Sequence, residues 1–217
     1  MEFTYHIIHC KNHLDEKTKE QRLLNMQQIR DRIFGDPVIQ IFDAVDGNDF
    51  GTNIQQIVQS YDPQLYVSFD NHMTNCEIGC YLSHYLLAKQ GLLMESDFSV
   101  ILEDDALILS EDLHSDILEI ARETDFDIIF LGNLNAHKGA HYRDNIYFLD
   151  ETPCWGTHAL LLNNKNAGKI CEQLTHINVP IDNKYTDLIR SGKLTGFVIY
   201  PVLSIPFAGK STIHGSS

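Results

Sequence analysis

Three consecutive carboxylates, Glu103, Asp104 and Asp105, follow the apolar run "FSVIL" and precede Ala106 and Leu107. Like charges repel, and an ionised carboxylate is expensive to bury, so the cluster asks for a cation. Period-two alternation at the end of a strand sends Glu103 and Asp105 to one side and Asp104 to the other. Two carboxylates converging from one side suit a hard divalent ion such as Mg²⁺ or Mn²⁺, arriving with a phosphate-bearing ligand. The plain alternative is a solvated acidic turn after a strand, and the buried character of "FSVIL" favours a site over it.

Other stretches carry chemistry-bearing side chains. "CEIGCYLSHYLL" holds Cys76, Cys80 and His84 at four-residue spacing. Eight residues of helix span about 12 Å, so one zinc ion with bonds of about 2 Å cannot collect all three from one straight helix. Two of them bind an ion only if other groups help. Ser83 and His84 are polar members of an apolar helix, either a satisfied core pair or part of a site. "FDAVDGND" ends in Asp46-Gly47, which suits a ligand loop and a plain turn equally. "CWGTHALLL" holds the single tryptophan, Trp155, beside Gly156; its ring suits a sugar face, with core packing the slightly favoured reading. "NVPIDNKYTDLI" offers Asp182 and Asp187, each a candidate general base, with helix capping the alternative for Asp182. His214 lies in a Ser/Gly-rich tail, either without fixed structure or folded back as a metal ligand.

The elements that must position these groups alternate. "FTYHIIHC" and "VIQIFDAV" read as strands around the helical stretch "DEKTKEQRLLNMQQIRDRIF", whose apolar side carries Leu23, Met26, Ile29 or Arg30, and Ile33. Strand–helix–strand is the unit of a parallel sheet. A short helix is expected near "NIQQIVQSY" and a longer one over "NCEIGCYLSHYLLAKQGLL", capped near Asn75. "FSVILEDDALIL" reads as one buried strand running into the acidic cluster. A helix capped by Ser110 follows, then the strands "FDIIFLGN", "ALLLN" and "GFVIYPV", with helices near residues 164–174 and 184–191. The fold class is α/β, and residues 1–217 form a single domain.

Composition narrows the function. The 217 residues are 43% hydrophobic, enough for a real core, and 30 acidic against 16 basic side chains give a formal charge of −14. So acidic a chain argues against nucleic acid as a partner and against adhesion to anionic lipid. No apolar run is long enough for a transmembrane segment, and no early segment reads as a signal peptide. Five cysteines, an odd number, point to reduced thiols and a cytoplasmic setting.

Taken in order, "FDAVDG", "CEIGCYLSHYLLAK", "VILEDDAL", "FDIIFLG", "WGTHALLL" and "VPID" resemble the motifs of glycosyltransferase family 25. That family includes lipooligosaccharide galactosyltransferases of lipopolysaccharide biosynthesis and collagen galactosyltransferase domains. The resemblance implies a GT-A type fold, a Rossmann-like, mostly parallel sheet flanked by helices. It also implies a UDP-sugar donor with Mn²⁺ or Mg²⁺. Carried over, Glu103 and Asp104 lie near the ribose and diphosphate, and Asp105 is the direct metal ligand, with Glu103 and His214 as further candidates. Asp46 lines the nucleotide pocket, Ser83 and His84 face the donor, and Trp155 and Gly156 lie beside the transferred sugar or acceptor. Asp182 is the implied base, ahead of Asp187. The family's opening strand reads roughly Val-Ile-Asn-Leu; this chain has His9 and Cys10 in place of the Asn and Leu, and Arg22 stands in for a downstream arginine.

The implied activity is inverting transfer of a hexose, from UDP-galactose or UDP-glucose, to a hydroxyl on a glycan, a lipid-linked saccharide or a hydroxylated peptide. Two other readings compete: a Mg²⁺-dependent phosphoryl-transfer enzyme built on the acidic cluster, and a UDP-sugar-binding module without turnover.

Overall fold

The opening strand–helix–strand unit forms as the sequence pattern requires. In the structure, a computed structural model, β1 (Phe3–His9) and β2 (Val38–Asp43) pair in parallel, from Thr4 opposite Val38 to His9 opposite Asp43. Between them runs α1 (Glu16–Asp31), whose N-cap Asp15 accepts the Thr18 N–H at 2.9 Å. The structure describes residues 1–12, 14–68, 72–122, 124–135, 138–152 and 154–207.

A turn at Gly47–Asp49 leads to α2 (Ile54–Tyr61) and β3 (Tyr66–Val67). Next come α3 (Asn75–Gly91), β4 (Phe98–Glu103), β5 (Ala106–Ile108) and α4 (Leu113–Arg122). Then follow β6 (Ile128–Phe130), β7 (His141–Arg143), β8 (Ile146–Tyr147) and β9 (Ala159–Asn163). The chain continues through α5 (Ala167–Leu174), β10 (His176–Ile177), α6 (Ile181–Arg190), β11 (Gly196–Ile199) and β12 (Ser204–Pro206).

The fold is mixed α/β. Its main sheet is ordered β2-β1-β4-β9-β6-β11-β8-β7. Strands β2, β1, β4, β6, β11 and β7 run one way; β9 and β8 run against them. The sheet is therefore mostly parallel in direction, with β9 inserted antiparallel beside β4. That insertion matters for the site, because it brings the start of β9 to the same edge as the carboxyl end of β4.

Alternation along the strands separates two cores. Tyr5, Ile7, Val100, Leu102 and Leu161 face α1 and α4, where Met26, Ile29, Ile117 and Ile120 meet them. Ile8, Ile101, Phe130, Leu160 and Leu162 face α3, α5 and α6, where Tyr81, Leu82, Ile170 and Tyr185 meet them. The same alternation carries past Leu102, so Glu103 turns to the α3 side and Asp104 to the α1 side.

Three local expectations are corrected and one is refined. Leu23 is 56% exposed, and the buried stripe of α1 instead includes Arg22 and Asn25, because both bond to the acidic segment. The cap of α3 falls at Thr74, beside Asn75 as expected: Thr74 Oγ1 accepts the Glu77 N–H, and Glu77 accepts the Thr74 N–H, a complete capping box. "FSVILEDDALIL" is two strands broken at Asp104-Asp105, with β5 leaving the main sheet to pair with β12. Asp112, not Ser110, caps α4 by accepting the Ser115 N–H, while Ser110 bonds to Asp116. All five cysteines are free thiols. Among the described residues, no helix is long and apolar enough to cross a membrane.

Candidate active site

The carboxyl ends of β1, β2 and β4 lie side by side at one edge of the sheet, where open α/β sheets place ligands. Because β9 is antiparallel, Trp155 to His158 arrive at that edge too, and the Glu103 N–H donates to the His158 carbonyl at 2.9 Å.

The acidic triplet divides into three environments. Asp104 is buried at 1% exposure and held on the α1 side. Its Oδ2 accepts from His9 Nδ1 at 2.7 Å and from the Cys10 N–H at 3.1 Å, and its Oδ1 pairs with Arg22 Nη1. Asn25 Nδ2 donates to the Asp104 carbonyl at 2.8 Å and to the Ala106 carbonyl at 2.9 Å, clamping the turn. Its charge is thus met by cationic and hydrogen-bonding groups of the protein itself, which is how a buried carboxylate is tolerated.

Glu103 turns to α3. Its Oε1 lies 3.1 Å from His84 Nε2 and accepts from Thr157 Oγ1 at 3.0 Å. Burial by itself pushes Glu103 up, but the His84 hydrogen bond and charge, with help from His158 and Thr157, outweigh it and hold the carboxyl below its ordinary value. It is an anion at neutral pH. Burial lowers His158 in turn, leaving a ring held by the Ser204 carbonyl at 3.3 Å.

Asp105 is the one with capacity to spare. Oδ2 lies 3.8 Å from Arg22 Nη2, while Oδ1 is buried and meets no hydrogen-bond partner among the described residues. Burial, then the Glu103 charge beside it, push this carboxyl up from 3.8 to about 7, against the opposing pull of Arg22. An orphaned carboxylate oxygen next to a second, ionised carboxylate fits a hard divalent cation: two oxygen ligands, excess negative charge and an unfilled valence.

Asp182 reaches the same region from the first turn of α6. Its Oδ2 accepts the Gly156 N–H at 3.1 Å, and its Oδ1 accepts the Asn183 N–H at 2.7 Å. Gly156 sits at φ +92°, in the left-handed region that glycine adopts without strain, and a Cβ there would meet His158 Nδ1 at 3.0 Å. The "WG" glycine is therefore what lets the backbone N–H aim at Asp182. The Cys80 thiol reports how these groups converge. Burial first, then the charges of Glu103, Asp182 and Asp105, hold it well above its ordinary value.

The remaining sequence candidates divide. His84 is fully buried and bonded to Glu103. Ser83 turns to the protein: it donates to the Gly79 carbonyl and accepts the Val45 N–H, both at 2.9 Å, tying the loop after β2 to α3. Asp46 caps the Gly47–Asp49 turn through the Asn48 N–H at 2.9 Å, with Cys10 Sγ at 4.0 Å from its other oxygen. Gly47 and Gly79 face each other where α3 crosses that turn; a Cβ on Gly79 would lie 2.4 Å from the Val45 carbonyl. Trp155 is 50% exposed, so the core-packing reading of its ring is corrected. Its carbonyl accepts from the Leu134 N–H at 2.8 Å. Asp187 is exposed on α6, its charge acting on Lys184, and the structure does not bring it to the cluster. His214 lies outside the described residues.

Sequence reasoning missed Thr157, His9, Asn25 and the inward face of Arg22. Arg22 had a signal: it stands in register with Met26, Ile29 and Ile33, and a charge in an apolar stripe requires a partner. Thr157 had none beyond its nearness to Trp155.

Comparison with known proteins bears on this geometry. No curated protein matches the chain significantly. Among solved structures, the apo form of the glycosyltransferase GlyE from Streptococcus pneumoniae TIGR4 aligns with a TM-score of 0.46 at 11% identity, over 90% of this chain and 44% of its own. TarS from S. aureus aligns with a TM-score of 0.48 at 10% identity, over 95% of this chain and 60% of its own. These likenesses are loose, and this chain spans less than two thirds of either. The family profile described as glycosyltransferase family 25 (LPS biosynthesis protein) matches residues 4–185 and so takes in every element from β1 to the first turns of α6. The chain belongs to glycosyltransferase family 25.

Proposed function

We propose that this glycosyltransferase moves a hexose, galactose before glucose, from a UDP-sugar to a hydroxyl acceptor with inversion at the anomeric carbon. The observation that carries the reading is the buried Oδ1 of Asp105, without a partner among the described residues, beside the ionised Glu103, at the strand edge that Asp182 also reaches. Asp105 and Glu103 would hold a divalent cation, Mn²⁺ or Mg²⁺. Bound there, such an ion neutralises charge growing on a departing diphosphate.

The chain's own residues supply the rest. Asp182, oriented by the N–H groups of Gly156 and Asn183, keeps free lone pairs to accept the acceptor hydroxyl's proton. Asp104, already met by Arg22 and His9, fixes the turn that presents Asp105 rather than touching the donor. Asp46 and the Gly47 turn, pinned by Ser83, form the floor of the nucleotide pocket. His84 holds Glu103, and the exposed Trp155 ring offers a sugar-stacking face beside Gly156. The acceptor is a glycan, a lipid-linked saccharide or a hydroxylated peptide, and the free thiols suit a cytoplasmic setting.

The test is UDP release from UDP-galactose and UDP-glucose with Mn²⁺, across a panel of acceptors. Metal assistance is worth several kcal/mol, so Asp105→Ala lowers kcat by about 10³-fold or more while circular dichroism stays native. Near-normal, metal-dependent turnover in that variant refutes the assignment. So does the absence of UDP release with every donor.

A further inference from the structure

We infer that Cys80, His84 and Glu103 form a site for a thiophilic divalent cation, with Zn²⁺ as the physiological type, distinct from the hard-ion position at Asp105. The cluster shares Glu103 with the proposed transfer site but does not rest on that reading. One ligand atom from each residue lies within 4.8 Å of the other two. Cys80 and His84 are four residues apart on α3 and so share one of its faces. Glu103 completes the set from the end of β4, which is what a single helix could not do for Cys76, Cys80 and His84. Cys76 points elsewhere, its Sγ 3.6 Å from Asn48 Oδ1.

The donor set selects the metal. Thiolate, imidazole and carboxylate together suit Zn²⁺ and Co²⁺ and do not suit Mg²⁺ or Ca²⁺, which take oxygen ligands. Ligands on a tetrahedral zinc stand about 3.5 Å apart, so the set, now within 4.8 Å, draws in slightly on binding. Three protein ligands leave the fourth position open. A further feature suits an ion here. Cys80 is half-buried rather than sealed and stands among the carboxylates of Glu103, Asp105 and Asp182, whose combined charge attracts a cation to it. Binding replaces the Cys80 S–H bond by an S–metal bond, and the proton leaves to buffer.

Co²⁺ titration of the whole chain, stripped of metal, reads the site directly. Expected are a saturable thiolate-to-cobalt charge-transfer absorption at one ion per chain, release of about one proton, and displacement by Zn²⁺ but not by excess Mg²⁺. Cys80→Ser abolishes the absorption and Cys76→Ser keeps it. Should Cys80→Ser fold poorly, the wild-type chain still decides. With Zn²⁺ present, Cys80 is protected from alkylation mapped by mass spectrometry, while Cys76 and Cys10 remain reactive. A wild-type chain without the thiolate band, a band that survives Cys80→Ser, or alkylation of Cys80 that Zn²⁺ does not slow overturns the inference. None of these readouts uses sugar transfer, so its failure and the failure of the proposed function are separable.

Discussion

Replacing Asp105 by asparagine tests whether the acidic turn stores an electrostatic penalty for the sake of a cation. The Asp105 carboxyl is raised from 3.8 to about 7 by burial and by Glu103. The native state therefore binds this proton more tightly than the unfolded chain does. The sign follows: stability contributed by this group is highest below the unfolded value near 4, declines as pH rises towards 7, and is lowest above that. At about 1.4 kcal/mol per pH unit, the full displacement is on the order of 4 kcal/mol. The side chain keeps 28% exposure, and solvent screening brings the penalty to about 2 kcal/mol. Asp105→Asn is nearly isosteric and carries no such penalty. For a chain of this size each kcal/mol moves Tm by about 2–4 °C, so the metal-free variant melts about 4–8 °C higher than wild type at pH 8. At pH 4 the two melt together, within about 2 °C. Differential scanning calorimetry in chelator, at several pH values, gives the comparison. A Tm difference that does not change between those pH values refutes the reasoning, as does a variant less stable than wild type at pH 8.

Two other perturbations follow from the same geometry. Arg22→Met leaves Asp104 buried with His9 as its remaining side-chain partner; loss of one member of a buried pair costs about 3–5 kcal/mol, read as a lower urea midpoint, and Arg22→Met with Asp104→Leu recovers part of it. Recovery of nothing in the double variant would show that the pair is not what Arg22 stabilises. Gly79→Ala places a methyl 2.4 Å from the Val45 carbonyl and forces α3 off the Gly47 turn, costing about 1–3 kcal/mol by urea unfolding, whereas Gly51→Ala, where a Cβ meets nothing within 4 Å, leaves the midpoint unchanged.

The sequence made the α/β alternation readable because β1, β2, β4 and β9 are β-branched and aliphatic runs bounded by turn residues, and because α1 carries a 3.6-residue period. It also made readable that "VILEDD" ends a strand with carboxylates turned to opposite sides. What it hid has two physical sources. The first is pairing between distant segments. The direction of β9 beside β4, and the departure of β5 to pair with β12, are decided by packing across more than fifty residues of chain, and no local pattern encodes them. The second is that a buried polar residue looks like a surface one until its partner is known. Hydropathy alone ranks Leu23 on the dry side of α1, yet it is exposed, while Arg22 and Asn25 are buried.

The second source explains how three adjacent like charges coexist. Each has its own surroundings: Glu103 meets His84 and Thr157, Asp104 meets Arg22 and His9, and Asp105 has one oxygen 3.8 Å from Arg22 and the other without a partner among the described residues. Strand alternation separates the first two by the thickness of the sheet, and after the break at Asp104-Asp105 the third keeps one oxygen buried and the other near Arg22. On the proposed reading, the triplet is thus one structural anchor and two groups that would hold a ligand. Asp104 holds the turn because its charge is answered by the protein. Asp105 is answered only in part, by Arg22 at 3.8 Å from one oxygen, and on the proposed reading a cation would supply the rest.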